Sequence, residues 1–411
     1  MQTSTVRFKT ALPRGRSDPF GGAVRNVVTR PAGAVRISLI YFNAGGGHRA
    51  AAIALHEELL RQHPDWSVSL VDLFAVLDPN QLFKRFTGFA PEAYYNKRLS
   101  TGFTLGLAQE LKLLQAMIRL SDHQLVKRLA AYWSVTEPTL VVSLVPNFNR
   151  AIGQSVKLAL PQAPFVTVMT DLADYPPNFW VEPGYTSHLI CPTRHALSQG
   201  IAAGLEPQKV HAVSGTLLSP RFYEAPPHDR EAARCALGFK PDEEIGLVMF
   251  GGHGSAAMKR IAVDLAHRPL ILMCGRNEAL GSSLMKLPKS AHHHVVGFTD
   301  NVAHYMRLAD YFIGKPGPGS ISEALHCGLP VIVARNAWTM PQERWNTDWV
   351  QACNLGRVVP SFAKIEDAVK DVLANLENLR GNVNRVQNRA LYEVPALLGK
   401  LVCQGSMAIA S

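Results

Sequence analysis

The sequence predicts an α/β fold made of two Rossmann-like, doubly wound domains that face a central cleft. A strand-like apolar run followed by a glycine-rich turn and a helical pattern occurs near the start of the chain and again near its middle. Such β-α alternation is typical of parallel sheets covered by helices. The 411 residues also exceed the roughly 250–300 residues at which a single core stops growing, which favours two domains.

The first series begins with the apolar run 35–42, which predicts a buried strand. A glycine-rich turn follows, then a helix from about Arg49 to Arg61, and then a second strand over 66–71 that closes with Asp72. This β-α-β order predicts parallel pairing of the two strands. Further strands in this half are expected over 140–144, 165–169 and 188–191.

The second series follows residues 219–228, a proline-rich stretch typical of a linker or a domain-edge loop. Its predicted strands cover 245–250, 270–274, 294–296, 311–314 and 331–334. The sequence therefore predicts a basic tail over 1–34, an N-terminal domain over 35–222, a C-terminal domain over 223–385 and a C-terminal helix or tail over 386–411.

The charge is unevenly distributed. The net charge is +10, and residues 1–36 hold seven Lys or Arg with Asp18 as their one acid. This composition is typical of a disordered tail, with an organelle transit peptide as the alternative. A basic chain favours an anionic partner such as a membrane surface or a nucleotide-sugar. Nucleic acid has only the net charge in its favour, and no apolar run reaches the ~20 residues of a membrane span.

The first glycine-rich turn contains Gly45, Gly46 and Gly47 and ends at His48. Glycines between a strand and a helix let a ligand approach the backbone, and the helix N-terminus favours an anion. The turn also fits a dinucleotide fingerprint with Asp72 as its acid, although that pattern alone is weak. His48 is expected to face the cleft, to titrate near neutrality and to act as a general base; a plain turn with a solvated histidine is the alternative.

The most specific motif is the glycine- and proline-rich turn over 314–325. Its N–H groups are expected to hold phosphate, which points to Lys315, Pro318, Gly319 and Ser320 as donor-binding residues. Glu323 is expected to accept hydrogen bonds from ribose hydroxyls. The alternative is that Ser320 and Glu323 form only an S-x-x-E capping box of a helix that begins near Ser320.

Two further loops are candidates for the same ligand. The loop of residues 251–255, with Gly252 and Ser255, predicts a second anion site for a diphosphate. Gln342 and Glu343 follow a predicted strand and are expected to contact sugar hydroxyls. A structural turn and an exposed helix start are the alternatives. Consecutive histidines at 292–294 cannot all point one way, so a metal site is not expected there. No cofactor is expected either.

Taken together, the runs Gly45–Arg49, Thr170-Asp171, Gly317–Ser320 with Glu323, and Gln342-Glu343 resemble the monogalactosyldiacylglycerol synthases and the processive diacylglycerol glucosyltransferases, which are GT-B enzymes similar to glycosyltransferase family 28. The similarity spans roughly residues 36–375. One departure is Tyr175-Pro176-Pro177, where the family often has a histidine soon after Thr-Asp. The resemblance implies two Rossmann-like domains, with the donor in the C-terminal one and the acceptor mainly in the N-terminal one.

The resemblance also implies a metal-independent, inverting transfer of a hexose from a UDP-hexose to a lipid acceptor such as diacylglycerol. His48 matches the family's candidate base and Asp171 an acidic position near the acceptor. Glu323 matches the ribose-binding acid, Gln342 and Glu343 match sugar contacts, and the turn at Phe298 matches the place where the uracil rests.

Residues 80–135 combine aromatic and basic side chains and are expected to seat a lipid headgroup at an anionic membrane; ordinary amphipathic helices are the alternative. The expected location is cytoplasmic and peripheral on the inner face of a bacterial plasma membrane. Two other functions remain open at this stage, a UDP-sugar epimerase of the same fold and a non-catalytic UDP-sugar sensor.

Overall fold

Two parallel six-stranded sheets form the framework of the chain. A computed structural model describes residues 34–42, 46–78, 107–185 and 187–410, with the side chains of 107–110 and 405–410 excepted. The predictions for the tail before Ala34, for Gly45 and for the aromatic residues between 79 and 106 lie outside these ranges. Residues 35–411 cluster as one compact unit.

The N-terminal sheet has the strand order β2-β1-β3-β4-β5-β6. All of its pairings are parallel, with Ile37 level with Val68 on one side and with Leu140 on the other. Its strands are Arg36–Tyr41 (β1), Ser67–Asp72 (β2), Leu140–Ser143 (β3), Phe165–Val168 (β4), His188–Cys191 (β5) and Val210–Ala212 (β6). Its helices are Gly47–Gln62 (α1), Leu73–Leu77 (α2), Leu107–Leu120 (α3), Asp122–Thr136 (α4), Asn149–Ala159 (α5) and Arg194–Ala202 (α6).

The C-terminal sheet has the order β12-β11-β10-β7-β8-β9, which is the doubly wound order of a dinucleotide-binding fold. Its strands are Gly246–Met249 (β7), Leu270–Met273 (β8), His293–Val296 (β9), Tyr311–Gly314 (β10), Val331–Ala334 (β11) and Gly356–Val359 (β12). Its helices are Arg230–Ala236 (α7), Ala257–Asp264 (α8), Glu278–Met285 (α9), Val302–Leu308 (α10), Pro318–His326 (α11), Pro341–Ala352 (α12), Ile365–Ala374 (α13) and Leu376–Val383 (α14).

Each sheet has one point at which the strand order reverses. In the N-terminal sheet it lies between β1 and β3, and in the C-terminal sheet between β7 and β10. Ligands of doubly wound sheets bind beyond the carboxyl ends of the strands at such a point. The turn after β1 contains Gly46, the turn after β7 contains Gly252, and the turn after β10 contains Lys315, so the predicted glycine-rich loops lie where the topology favours a ligand.

The last helix, Ala390–Ala410 (α15), returns to the N-terminal half. Val394 and Leu398 are fully buried in the same apolar cluster as Leu55 of α1. Gly399 faces His63 and Trp66, whose rings are stacked with centroids 3.7 Å apart. The C-terminal helix therefore contributes to the core under the first sheet.

The two halves also touch directly through aromatic rings. His195 of α6 stacks on Trp345 of α12 with a centroid separation of 4.7 Å and an interplanar angle of 7°. Trp345 continues the stack onto Trp349. This contact joins a helix that follows β5 to a helix that follows β11, both on the carboxyl sides of their sheets.

The predicted strands agree with the structure to within one or two residues at each end. β5, β10 and β11 have the predicted bounds. Two short strands were missed, β6 and β12, and both lie at sheet edges, where three or four residues carry little sequence signal. Asp72 caps α2, because its Oδ1 accepts the backbone N–H of Phe74 at 3.0 Å.

Candidate functional site

His48 lies in the first turn of α1, half-buried, directly after the glycine turn. Gly46 caps the helix in the left-handed region, with φ +82°, a conformation that favours glycine. The His48 Nδ1 atom lies 2.8 Å from Oγ1 of Thr170, the residue that follows β4 by two positions. Phe42 and Trp180 flank the imidazole, with ring centroids 4.7 and 5.9 Å away.

The pKa of His48 is lowered to about 4, because burial disfavours the imidazolium; a hydrogen bond to the backbone of Leu144 acts in the opposite direction but is the smaller effect. The expectation of a histidine that titrates near neutrality is therefore wrong. Its neutral form is present throughout the physiological pH range. A neutral imidazole can accept a proton, so the position remains compatible with a general base.

Asp171 is the second reactive group at the end of β4. Its side chain is buried, and its Oδ2 accepts the indole N–H of Trp180 at 2.9 Å. Burial raises the pKa of Asp171 to about 7, while the Trp180 hydrogen bond lowers it and the charge of Asp174 raises it further. Asp174 in turn accepts the backbone N–H of Trp180 at 2.6 Å, so two carboxyl groups fix this tryptophan.

The C-terminal half contributes a lysine and a carboxylate to the same region. Lys315, directly after β10, donates from Nζ to Oε1 of Glu343 in the first turn of α12, over 2.9 Å. The charge of Glu343 raises the pKa of Asp171, and the charge of Lys315 lowers it. Such interactions act over short distances. Together with the stack of His195 on Trp345, they place the end of β4 near the ends of β10 and β11.

The turns after β7, β8 and β9 are tied to one another. The carbonyl of Gly252 accepts the N–H of Arg276 at 2.8 Å, and Gly275 approaches so closely that a Cβ there would lie 2.2 Å from this carbonyl. The Arg276 guanidinium lies 3.8 Å from the ring centroid of Phe298, which is 59% exposed. Ser255 accepts the N–H of Ala257 at 3.3 Å just before α8.

The start of α11 differs from the capping-box alternative. The helix begins at Pro318, with Gly317 as its N-cap and no side-chain cap, so Ser320 lies within the first turn and Glu323 one turn later. Glu323 therefore does not cap this helix. Burial raises its pKa to about 7. A carboxyl group in this position is a candidate acceptor for hydroxyl donors.

The remaining predicted residues lie at the same edge. Gly319 has open space where a side chain would be, as do Gly46 and Gly47 in the other half. Gln342 occupies the first turn of α12 next to Glu343, and its Nε2 lies 3.7 Å from the sulfur of Met340. The structure thus brings the predicted donor residues to the carboxyl edge of the second sheet.

Trp180 and Arg276 were missed by the sequence analysis, which named Thr170 only as part of the Thr170-Asp171 motif. Thr170 and Trp180 contact His48 and Asp171, and Arg276 covers Phe298. Trp180 lies in the irregular stretch between β4 and β5, where no periodicity marks a functional side chain. Arg276 could have been found from the sequence, because Arg276-Asn277 follows an apolar strand and polar residues at strand ends in such folds reach the ligand.

Within the described part of the chain, His, Cys, Asp and Glu side chains form no group of three or more that could hold a metal ion. The charged groups at the site include the Lys315–Glu343 pair, Asp171, Glu323 and Arg276. They supply hydrogen-bond acceptors for hydroxyl groups and two cations, and the helices α8, α11 and α12 begin at the same edge. These are the elements that bind a phosphorylated sugar.

Comparison with known families gives a match within the C-terminal half. Residues 248–340 match the glycosyltransferase family 28 C-terminal domain. The match begins within β7 and ends at the residue before α12, so it contains the loops of Gly252, Phe298 and Lys315.

Two plant proteins are similar over most of the chain. "Probable monogalactosyldiacylglycerol synthase 2, chloroplastic" of Oryza sativa subsp. indica is 28% identical over 353 residues, which cover 80% of this chain and 72% of the rice protein. "Monogalactosyldiacylglycerol synthase, chloroplastic" of Spinacia oleracea is 24% identical over 388 residues, or 89% of this chain and 72% of the spinach protein.

Among solved structures, MurG of Acinetobacter baumannii superimposes with a TM-score of 0.58 and 13% identity, over 89% of this chain and 99% of that one. This likeness confirms the predicted GT-B fold.

Proposed function

We propose that this chain, a GT-B glycosyltransferase with a family 28 C-terminal domain and homologues among the monogalactosyldiacylglycerol synthases, transfers a hexose from a UDP-sugar to a lipid acceptor of the diacylglycerol type. Its homologues and its family 28 domain establish the enzyme class. The donor, the acceptor and the roles of individual residues are the proposed part.

One observation carries the proposal. Asp171 of the N-terminal half lies close enough to Lys315 and Glu343 of the C-terminal half that both charges shift its pKa, and Trp180 contacts both Asp171 and His48. A transferase must bring a nucleophile from one site to an activated carbon in another. A cleft with proton-accepting groups on one wall and an anion site on the other meets that requirement.

The donor side is built for a diphosphate that carries a sugar. The helices α8, α11 and α12 start at this edge, after β7, β10 and β11, so the positive ends of their dipoles lie there, and Lys315 adds a positive charge. Phe298 and Arg276 offer a flat surface at the outer end of this edge, where a pyrimidine base can stack. We place the ribose hydroxyls at Glu323 and the hexose at Gln342 and Glu343.

The reaction is a single displacement. The oxygen of the acceptor hydroxyl bonds to the anomeric carbon while the bond from that carbon to the phosphate oxygen breaks, and the electron pair leaves with UDP. The configuration at the anomeric carbon inverts. The hydroxyl proton passes to a base on the N-terminal side of the cleft, which we assign to neutral His48. Asp171 then stabilises the positive charge on the protonated imidazole.

The acceptor side includes an apolar helix face. Leu113, Met117 and Leu120 of α3 are 61%, 49% and 87% exposed, and their spacing of four and three residues places them on one face. Lys112 and Arg119 lie on the same helix. Such a helix fits the interface of an anionic bilayer. No helix within the described ranges is long and apolar enough to span a membrane, and we propose peripheral attachment.

The decisive experiment is a transfer assay with radiolabelled UDP-galactose and UDP-glucose, each with and without diacylglycerol in mixed micelles, resolved by thin-layer chromatography. We expect a labelled glycolipid from one donor only when diacylglycerol is present. Conversion of the UDP-sugar without lipid would identify an epimerase instead. Tight UDP-sugar binding with no product in any arm would identify a sensor.

A further inference from the structure

The Lys315–Glu343 ion pair lies over the two glycine turns that would receive the diphosphate. A Cβ on Gly317 would lie 3.3 Å from Cε of Lys315, 3.5 Å from its Nζ and 3.5 Å from Oε1 of Glu343. On the other side, Cε of Lys315 lies 3.9 Å from where a Cβ on Gly251 would be. The lysine therefore crosses from the β10 turn to the β7 turn, and its cation is already matched by a carboxylate of the same half.

The two partners differ in their exposure. The Lys315 side chain is 34% exposed, whereas that of Glu343 is 5% exposed. An anion arriving from the cleft can therefore reach the ammonium group. The carboxylate is enclosed, and a buried carboxylate that loses its cation is costly unless other donors replace it.

We infer that the donor diphosphate takes Lys315 from Glu343 and that the hexose of the same donor then supplies hydroxyl donors to the released Glu343 carboxylate. This inference rests on the proposed function and adds a basis for discrimination between donor and product. A UDP-hexose satisfies both partners of the broken ion pair, one with its phosphates and the other with its sugar. UDP satisfies only Lys315 and leaves Glu343 without a partner, so it binds at a disadvantage.

The charge of Asp171 acts in the same direction. Burial is the main cause of its raised pKa, and the charge of Glu343 raises that pKa further, so the two carboxylates repel each other. A carboxylate released toward Asp171 is therefore destabilised further until neutral hydroxyl groups stand between the two. The exchange consequently favours the ligand that carries the sugar over the ligand that has lost it.

The test is a double-mutant cycle read by isothermal titration with UDP, UDP-galactose and UDP-glucose. Glu343→Gln removes the carboxylate that competes for Lys315 and keeps the shape of the side chain. UDP should therefore bind about 3- to 10-fold tighter, which is the scale expected from one partly exposed ion pair together with the repulsion between neighbouring negative groups. The advantage of the better UDP-hexose over UDP should fall by about 10-fold or more, the scale of hydrogen bonds to a charged group. Opposite effects on the two ligands are the signature of the exchange.

Lys315→Met supplies the second arm. It should weaken UDP by roughly 10-fold or more, because a hydrogen-bonded cation is lost, whereas an ion pair that serves only the fold predicts unchanged UDP affinity in folded protein. In Lys315→Met with Glu343→Gln, the gain from Glu343→Gln should vanish. Glu366→Gln is the matched control: Glu366 pairs with Arg268 at 3.1 Å outside the cleft, and its loss should leave every affinity within about twofold.

Equal or weaker UDP binding by Glu343→Gln with an intact hexose advantage would overturn the exchange while the proposed function stands. A gain that persists without Lys315 would also overturn it. Wild-type protein that binds neither UDP nor a UDP-hexose would overturn the proposed function, and the exchange with it.

Discussion

Oγ1 of Thr170 lies 2.8 Å from Nδ1 of His48, and this contact joins the end of β4 to the first turn of α1. The backbone of Leu144 is a second hydrogen-bond partner of the imidazole. An imidazole nitrogen that is held in this way fixes the ring orientation, and the partner of one nitrogen decides which nitrogen carries the proton. We expect Nδ1–H to donate to Thr170 and Nε2 to take the proton of the acceptor hydroxyl.

Replacing Thr170 tests this positioning role. Thr170→Val keeps the shape and removes the partner of Nδ1, so kcat should fall by about 3- to 10-fold with KM little changed, the scale of one hydrogen bond. Thr170→Ser restores the hydroxyl and should restore kcat. ¹⁵N spectra of the histidines should show His48 protonated on Nδ1 in the wild type and in Thr170→Ser. A His48 protonated on Nε2 would contradict the assignment.

His48→Ala tests the base itself. We expect kcat to fall by roughly 10²–10⁴, the usual contribution of general-base catalysis. UDP affinity should change by less than about twofold, because the residues assigned to the donor lie in the other half of the chain. The measurements are steady-state transfer and UDP titration of the same preparation. Near-normal kcat, or parallel loss of activity and UDP binding, would exclude His48 as the base.

The pH dependence of transfer should reflect Asp171 and not His48. His48 has a pKa of about 4, so it is already neutral at pH 5 and causes no change in kcat between pH 5 and 9. Asp171, with a pKa of about 7, is a neutral acid below that pH and a carboxylate above it. Since the carboxylate is the form that stabilises a protonated His48, kcat should rise through about pH 7.

Asp171→Asn provides the comparison for that profile. The variant has no titrating group at this position, so its residual activity should be low and independent of pH between 6 and 8. Asp72→Asn is a suitable control. Asp72 caps α2, and its replacement should leave the rise of kcat through about pH 7 unchanged. If kcat of Asp171→Asn still rises through about pH 7, the titration belongs to another group.

The fold was predictable because its signals are local. Buried strands such as β10 and β11 are short apolar runs bounded by glycine or proline, and their bounds were predicted correctly. The site was only partly predictable. Glycine turns and the helix start near Lys315 are visible in the sequence. The pKa of His48, by contrast, depends on its burial and on the backbone of Leu144, which lies close only because strands far apart in the chain pair.

The position of Glu323 illustrates the same limit. A Ser three residues before a Glu is a capping signature, yet Pro318 starts the helix one residue after Gly317 and moves Ser320 inside the first turn. Proline is favoured at the first helical position because its missing N–H is not needed there. The local motif was therefore present without its usual function.

Glu323→Gln should separate ligand binding from stability. Folding raises the pKa of Glu323 from 4.5 to about 7, so the folded state favours the protonated acid. The stability contributed by this preference is complete below about pH 4.5 and is lost as the pH rises toward 7. At pH 8 the variant should be more stable than wild type by about 1–2 kcal/mol, and at pH 4.5 about equal, as measured by urea unfolding.

The same variant should bind UDP more weakly, because a ribose hydroxyl loses a charged acceptor; we expect a loss of about 1–3 kcal/mol. A gain in stability together with a loss of affinity is the combination expected of a binding residue. Glu323→Gln that binds UDP normally would remove Glu323 from the donor site, and lower stability at pH 8 would show that its carboxylate has an unrecognised partner.

Membrane attachment through α3 is tested by sedimentation with liposomes. The exposed leucines supply apolar area and the basic residues attract anionic lipid, so wild type should bind vesicles that contain phosphatidylglycerol at low salt and bind less at 0.5 M NaCl, where the Debye length falls to about 4 Å. Leu113→Ser with Leu120→Ser should reduce binding at both salt concentrations, because the apolar contribution is not screened. Val263→Ser, at a 47% exposed position on α8 in the other half, is the control and should bind as wild type does.

Equal binding of wild type to neutral and anionic vesicles would exclude the electrostatic part of the proposal. Full binding by the double leucine variant would exclude α3 as the contact and leave the attachment to other residues of the chain.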